Sequence, residues 1–188
     1  MTTPPFDIVG RARQVLEIEI EGLRQVARQL GSGFEKAVGI LLETLNQGGK
    51  IVVTGIGKNL PIAEKIAATL ASTGSTSVVL NPVQALHGDL GILRPEDALL
   101  ALSYSGESEE IVTLIPLVRR TGLRIIALTG HPDSALARHA DAVIPVTVER
   151  EACPFNMAPT ATTTVTLAVG DALAIVLLEA RGFRLEDY

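Results

Sequence analysis

Between positions 103 and 108, the run Ser103-Tyr104-Ser105-Gly106-Glu107-Ser108 places three hydroxyls and a glycine ahead of a helical stretch. Hydroxyls, together with the backbone N–H groups that a helix start leaves unpaired, are the donors a phosphate dianion needs. Serine is also a preferred helix cap. Capping uses one hydroxyl and this turn has three, so the segment reads as a phosphate seat beside the plainer capping role. A second turn, Thr54-Gly55-Ile56-Gly57-Lys58, also leads into a helical stretch and adds one cation. It has no third glycine at position 60, and no acidic residue closes the second apolar run, so a dinucleotide cofactor is not expected. The spacing of a Walker loop is missing as well.

Titratable groups cluster near such turns. His87 lies in Pro82-Val83-Gln84-Ala85-Leu86-His87-Gly88-Asp89, read as a loop, where an imidazole can touch a sugar hydroxyl or move a proton near neutral pH; a surface turn residue has the same appearance. Glu110 follows the serine turn, and Glu149-Arg150-Glu151 follows the last apolar run. Carboxylates beside a lysine and a phosphate seat suit proton abstraction next to a carbonyl, although a solvated charge run reads alike. His131 and His139 read as solvent-facing. Cys153 reads as a small buried filler, and no spacing of His and Cys suggests a metal.

These residues need a scaffold, and hydropathy supplies one. Apolar residues recur with a helical period from Ile8 to Leu30 and again from Phe34 to Leu45, predicting two helices (8–47) before any strand. Five short apolar runs follow: Ile51-Val53, Ser77-Leu80, Ala98-Leu102, Ile125-Leu128 and Ala142-Ile144. Non-alternating strands separated by helices (Leu60–Ser72, Glu107–Thr121, Ser134–His139) predict an α/β core over 50–181 with a parallel sheet buried on both faces. In such sheets ligands bind outside the carboxyl ends of the strands, which is where both turns fall. The final helix, Thr162 to Ala180, is apolar around much of its circumference. It belongs either in the core or at an interface between copies, completed by the first helix.

Composition narrows the function. The chain has 188 residues, 47% hydrophobic, with a formal charge of −5 and one cysteine. That length predicts one domain, and the apolar fraction excludes disorder. Without a basic cluster beyond Arg119-Arg120, nucleic acid is not an expected partner. The apolar run Ala172 to Leu178 is too short for a bilayer span. Met1-Thr2-Thr3-Pro4-Pro5 has no features of a secretory leader, and a single cysteine suits a cytoplasmic location.

Several ordered motifs carry a resemblance: Gly55-Ile56-Gly57-Lys58, Ala67 to Gly74, Ala85-Leu86-His87-Gly88-Asp89-Leu90-Gly91, the serine turn, Glu151-Ala152-Cys153-Pro154, Ala158-Pro159-Thr160 and Gly170 to Ala174. From about residue 10 to 187 the chain resembles the sugar isomerase (SIS) domain of the D-arabinose 5-phosphate isomerases. The resemblance implies a five-stranded parallel sheet sandwiched by helices, a flavodoxin-like three-layer fold that assembles as dimers or tetramers. It implies interconversion of D-ribulose 5-phosphate and D-arabinose 5-phosphate, the entry to Kdo and lipopolysaccharide. Catalytic roles fall to Lys58, Glu110 and Glu151, with His87 contacting substrate. Gly74 and Ser75 match a substrate-contacting stretch, and Ser103, Ser105 and Ser108 match the phosphate loop, with Gly55, Gly57 and Gly106 shaping the two turns and Thr160 nearby. Glu110 and Glu151 remain alternatives for the base.

Members of that group continue past Gly182-Phe183 into paired CBS domains, through a stretch that holds a further histidine; this sequence ends at Tyr188. Asn81 stands where many relatives have a zinc-binding histidine. The rival readings are another phosphosugar isomerase, such as one acting on hexulose 6-phosphates, and a sugar-phosphate or CMP-Kdo binding module without turnover.

Overall fold

A computed structural model describes residues 6–187; the Met1-Thr2-Thr3-Pro4-Pro5 segment and Tyr188 lie outside the described residues. Helix α1 (Ile8–Gln29) starts where the Asp7 carboxylate accepts from the Gly10 N–H at 2.8 Å, and α2 (Ser32–Asn46) follows after one bend. Strand β1 (Ile51–Gly55) comes next, then α3 (Asn59–Ser72), β2 (Ser77–Leu80), α4 (Pro82–Leu86), β3 (Ala98–Leu102), α5 (Glu109–Thr121), β4 (Arg124–Thr129), α6 (Ala135–His139), β5 (Ala142–Pro145) and α7 (Ala161–Ala180). The five strands are all parallel, in the order β2-β1-β3-β4-β5. The strand order reverses between β1 and β3, and the crevice there is where ligands of this topology bind.

Each central strand is buried on both faces, so its apolar residues divide by parity. Ile51, Val53, Leu100, Leu102, Ile126 and Leu128 pack with α1, α2, α3 and α7, whereas Val52, Leu99, Ala101, Ile125 and Ala127 pack with α4, α5 and α6. The three layers follow from strands that have no polar face to offer water.

The segment from Pro82 is a short helix, not the loop that its residues suggest. Asn81 caps it, its side-chain oxygen accepting from Val83 N–H at 2.9 Å, and Pro82 opens the first turn, where a missing N–H costs nothing. A 3-10 turn at Asp89–Ile92 continues it. Helix α7 packs on α1, α2 and α3 and buries Val165, Val169, Leu173 and Leu177, while Ile175 and Val176 stay at the surface. Its length and composition would suit a membrane span, but half of it is buried inside the fold, and it serves as a core helix.

Candidate active site

The loops after β1, β3 and β5 meet around a pocket of about 400 Å³, within the range of small-molecule sites. Lys58 lines it from the β1 turn and Asn59 from the start of α3, Tyr104, Ser105 and Ser108 from the serine turn, Glu149, Arg150 and Glu151 from the long connection after β5, and Thr162 from the first turn of α7. Two cations and two carboxylates therefore share the pocket wall. Lys58 is exposed and forms no ion pair among the described residues.

The serine turn separates its three hydroxyls. Ser103 is 2% exposed; its oxygen accepts from the Gly106 N–H at 3.1 Å and lies 3.3 Å from the Ser108 hydroxyl. It builds the turn from inside and does not line the pocket. Ser105 and Ser108 do line it. Ser108 is the residue before α5, yet its side chain makes no capping bond, in contrast to Ser134, which caps α6 by accepting from Ala137 N–H. The plain capping role is therefore not what Ser108 performs, and the first-turn amides of α5 have no side chain covering them. Gly106 holds φ at +65°, and a Cβ there would stand 2.0 Å from the Ser134 oxygen, so the turn needs glycine for two reasons. Glu107 is turned away, its carboxylate accepting from Ala135 N–H at 2.7 Å.

Glu151 is the most heavily bonded carboxylate in the pocket. Its Oε2 accepts from Thr160 N–H at 2.8 Å, Thr160 hydroxyl at 3.0 Å and Thr162 N–H at 3.2 Å; its Oε1 accepts from the Thr162 hydroxyl at 2.5 Å. The carboxylate thereby caps α7, whose residue Thr160 makes no side-chain cap of its own. Burial raises the carboxyl pKa, but the four hydrogen bonds from Thr162 and Thr160 outweigh it and hold the group below the usual carboxylate range. Thr160 lies behind Glu151 and not on the pocket surface, and its hydroxyl also accepts from Ala152 N–H at 2.8 Å.

Helix α1 supports this wall from behind. Residues 147–152 follow β5 with no strand beside them, and side chains of α1 bond their backbone. Gln29 donates to Thr147 carbonyl at 2.7 Å and accepts from its N–H at 3.2 Å, Gln25 accepts from Glu149 N–H at 3.0 Å, and Arg11 donates to Ala152 carbonyl at 2.6 Å. Tyr104 ties the wall to the serine turn, its hydroxyl lying 3.4 Å from Val148 carbonyl and 3.3 Å from Val148 N.

Other expected site residues are placed elsewhere. Glu110 is in the first turn of α5 and does not line the pocket, and His87 is exposed at the end of α4. Gly55 and Gly57 shape the β1 turn without lining the pocket. Gly55 allows close approach, since a Cβ would stand 2.8 Å from the Asn59 carbonyl oxygen, and Gly57 holds φ at +61°. Gly74 and Ser75 precede β2 at the amino edge of the sheet, where Arg181 donates to Gly74 carbonyl and Ser75 is fully buried. Cys153 is not a core filler. It sits half-buried in a loop whose residues 154–159 are exposed, and the backbone amides of Ala158, Met157 and Phe155 draw its thiol pKa down. Among the described residues no group of three side chains could hold a metal ion.

Residue types alone did not single out Tyr104, Arg150, Asn156 or Thr162. Only for Thr162 was there a readable signal, the cluster Thr160-Ala161-Thr162-Thr163-Thr164 opening an apolar helix.

Fold and site together define a parallel α/β protein with a pocket of mixed charge at the carboxyl edge of its sheet. The SIS domain pattern matches residues 44–176. The chain belongs to the SIS domain family. Arabinose 5-phosphate isomerase KdsD of Pseudomonas aeruginosa is 47% identical over 183 residues, covering 97% of this chain and 55% of the relative. KdsD of Salmonella typhi is 47% identical over 185 residues, covering 98% and 56%. The chain thus spans about half the length of the curated relatives it matches. Among solved structures, E. coli CFT073 c3406 in complex with A5P superposes with a TM-score of 0.92 at 33% identity, covering 98% of this chain and 97% of that one. A Bacteroides fragilis protein described as a phosphosugar isomerase involved in capsule formation gives 0.92 at 38% identity, covering 96% and 95%.

Proposed function

We propose that the chain is a phosphosugar isomerase that interconverts D-ribulose 5-phosphate and D-arabinose 5-phosphate through a cis-enediol, without a cofactor. The observation that carries this reading is a single pocket lined by Ser105 and by Ser108, the residue before α5, together with Lys58 and an anionic Glu151. The names of the KdsD relatives support the reaction class, and the A5P complex of c3406 supports a five-carbon phosphosugar as ligand.

The phosphate binds at the serine turn, where hydroxyls and amides donate to its oxygens. The carbon chain then extends toward the α7 entrance. Glu151 lines the pocket and Glu110 does not, which is why we assign the base to Glu151. Its carboxylate removes the proton from C2 of the aldose, the electron pair moves to the C1–C2 bond, and the carbonyl oxygen takes up the charge. The proton of the C2 hydroxyl passes to O1, and the same carboxylic acid returns the carbon-bound proton to C1 as the O2 electron pair forms the carbonyl, giving the ketose. Lys58 stabilises the oxyanion that develops on the way. The proposed setting is the cytoplasm, supplying arabinose 5-phosphate toward Kdo, and the proposed assembly is a homo-oligomer.

The test is an isomerase assay with ribulose 5-phosphate on this chain as it stands. Glu151→Gln is expected to reduce turnover by about 10²–10⁴-fold, the usual worth of a placed acid–base group, with substrate affinity changed only a few-fold. Unchanged turnover would exclude Glu151 as the base. Turnover of a hexulose 6-phosphate in place of the pentulose would move the reading to a different isomerase. Binding of arabinose 5-phosphate with no exchange of its C2 proton into heavy water would leave a binding module.

A further inference from the structure

Glu151 is fixed more tightly than capping requires. Its bonds to the Thr160 and Thr162 N–H groups already satisfy the start of α7. The Thr162 hydroxyl adds nothing to that cap. Threonine hydroxyls inside a helix usually bond back to a carbonyl one turn earlier, and two neighbours do so: Thr163 donates to Thr160 carbonyl at 2.9 Å and Thr166 to Thr162 carbonyl at 2.8 Å. Thr162 instead donates to Glu151 Oε1 at 2.5 Å, although the residue is only 5% exposed.

The bonding is also uneven between the two oxygens. Oε2 accepts three bonds and Oε1 only one. Each carboxylate oxygen offers about two lone-pair sites; Oε2, with three donors, is saturated, whereas Oε1 meets one donor, so the open site belongs to Oε1, the oxygen that Thr162 holds.

We propose that Thr162 is a positioning residue: its hydroxyl holds Oε1 of Glu151 as the anion with one lone pair open, making that oxygen the proton acceptor. When Oε1 takes a proton on its open lone pair, its other lone pair still accepts from the Thr162 hydroxyl, and the bond is kept in both states. The catalytic part of the inference rests on the isomerase reading of the site. The coupling between Thr162 and Glu151 does not.

Other charges near Glu151 do not replace this bond. Glu149 and Arg150 precede it in the chain, and Lys58 lines the pocket from the β1 turn. From α1, Arg11 is bonded to Ala152 carbonyl and Glu19 accepts from the Thr164 hydroxyl at 2.9 Å. The Cys153 thiol is bonded by its own loop. None of the cations forms an ion pair with Glu151 among the described residues.

The experiment compares the full chain with its Thr162→Val and Thr162→Ser variants. Carbon-13 NMR of the Glu151 carboxyl is read against pH, alongside the pH profile of kcat/KM. Valine keeps the volume and removes the donor, so the carboxyl midpoint and the acidic limb of the profile are both expected to move to higher pH. Turnover at neutral pH falls by up to about 10²-fold, the cost of a misplaced group, and KM changes less. Serine restores both midpoints. A Glu151 midpoint unmoved in folded Thr162→Val overturns the proposal, as does a shift that serine fails to reverse. If valine does not fold, the wild-type protein decides: a Thr162 hydroxyl proton that cross-relaxes with the Glu151 side chain and follows its titration is expected, and one indifferent to that titration overturns the proposal. The carboxyl titration is read whether or not ribulose 5-phosphate turns over, so failure of the isomerase assay removes the catalytic reading alone.

Discussion

Ser108 carries a sharper prediction than its partners in the serine turn. Its hydroxyl lines the pocket and is not used in capping α5, whereas Ser103 is consumed inside the turn. A hydrogen bond to a charged oxygen contributes about 1.5–3 kcal/mol, so Ser108→Ala is expected to weaken phosphosugar binding by about tenfold or more with the fold intact. Titration calorimetry with arabinose 5-phosphate checks it, and unchanged affinity would mean that the phosphate lies elsewhere. At this scale the sequence was informative but incomplete. Three serines in six residues pointed to a turn that lines the pocket, but nothing in their spacing tells which hydroxyl faces inward, because that depends on the backbone turn at Gly106. The paired glutamates were equally open. Only three-dimensional placement separates Glu151, at the head of α7, from Glu110, which does not line the pocket.

Among the elements, α3 and α7 cross closely enough to exclude a side chain. A Cβ at Gly170 would stand 2.4 Å from two atoms of Ile66, and both residues are buried. Glycine inside a helix ordinarily costs about 0.5–1 kcal/mol relative to alanine; here it admits the neighbouring helix. Gly170→Val should therefore overpack the crossing and lower stability by about 1–3 kcal/mol. Denaturant unfolding measures that loss, and full stability would show that Ile66 can move aside freely. The elements themselves were largely legible from hydropathy, because strands buried on both faces read as short, continuous apolar runs, and α1 keeps a helical period. The stretch from Pro82 was misread because its Gly-Asp ending suggests a turn, although Asn81-Pro82 is a start signal for a helix. Whether α7 belongs to the core was not legible at all. A helix that is apolar all round says that it is covered and does not say by what.

For the molecule as a whole, the outer face of α1 is the feature still in need of a partner. Val9 and Leu16 are 58% and 59% exposed, and with Ile20 they fall on one stripe seven and four residues apart. Such a stripe supports the proposed self-association. Leu16→Glu combined with Ile20→Glu is expected to shift the sedimentation coefficient from that of an assembly to that of one chain. A wild-type protein that already sediments as one chain would end the proposal.

The support given by Arg11, Gln25 and Gln29 reaches further than the stripe on the other side of their helix. The span that matches the family pattern, residues 44–176, begins in the last turn of α2 and leaves out α1. A fragment cut to that span would keep every side chain that lines the pocket and lose the splint behind them. Peptide groups of residues 147–152 would then exchange their glutamine and arginine partners for solvent, leaving the rim bearing Glu151 to its bonds with Tyr104, Gly130 and the head of α7.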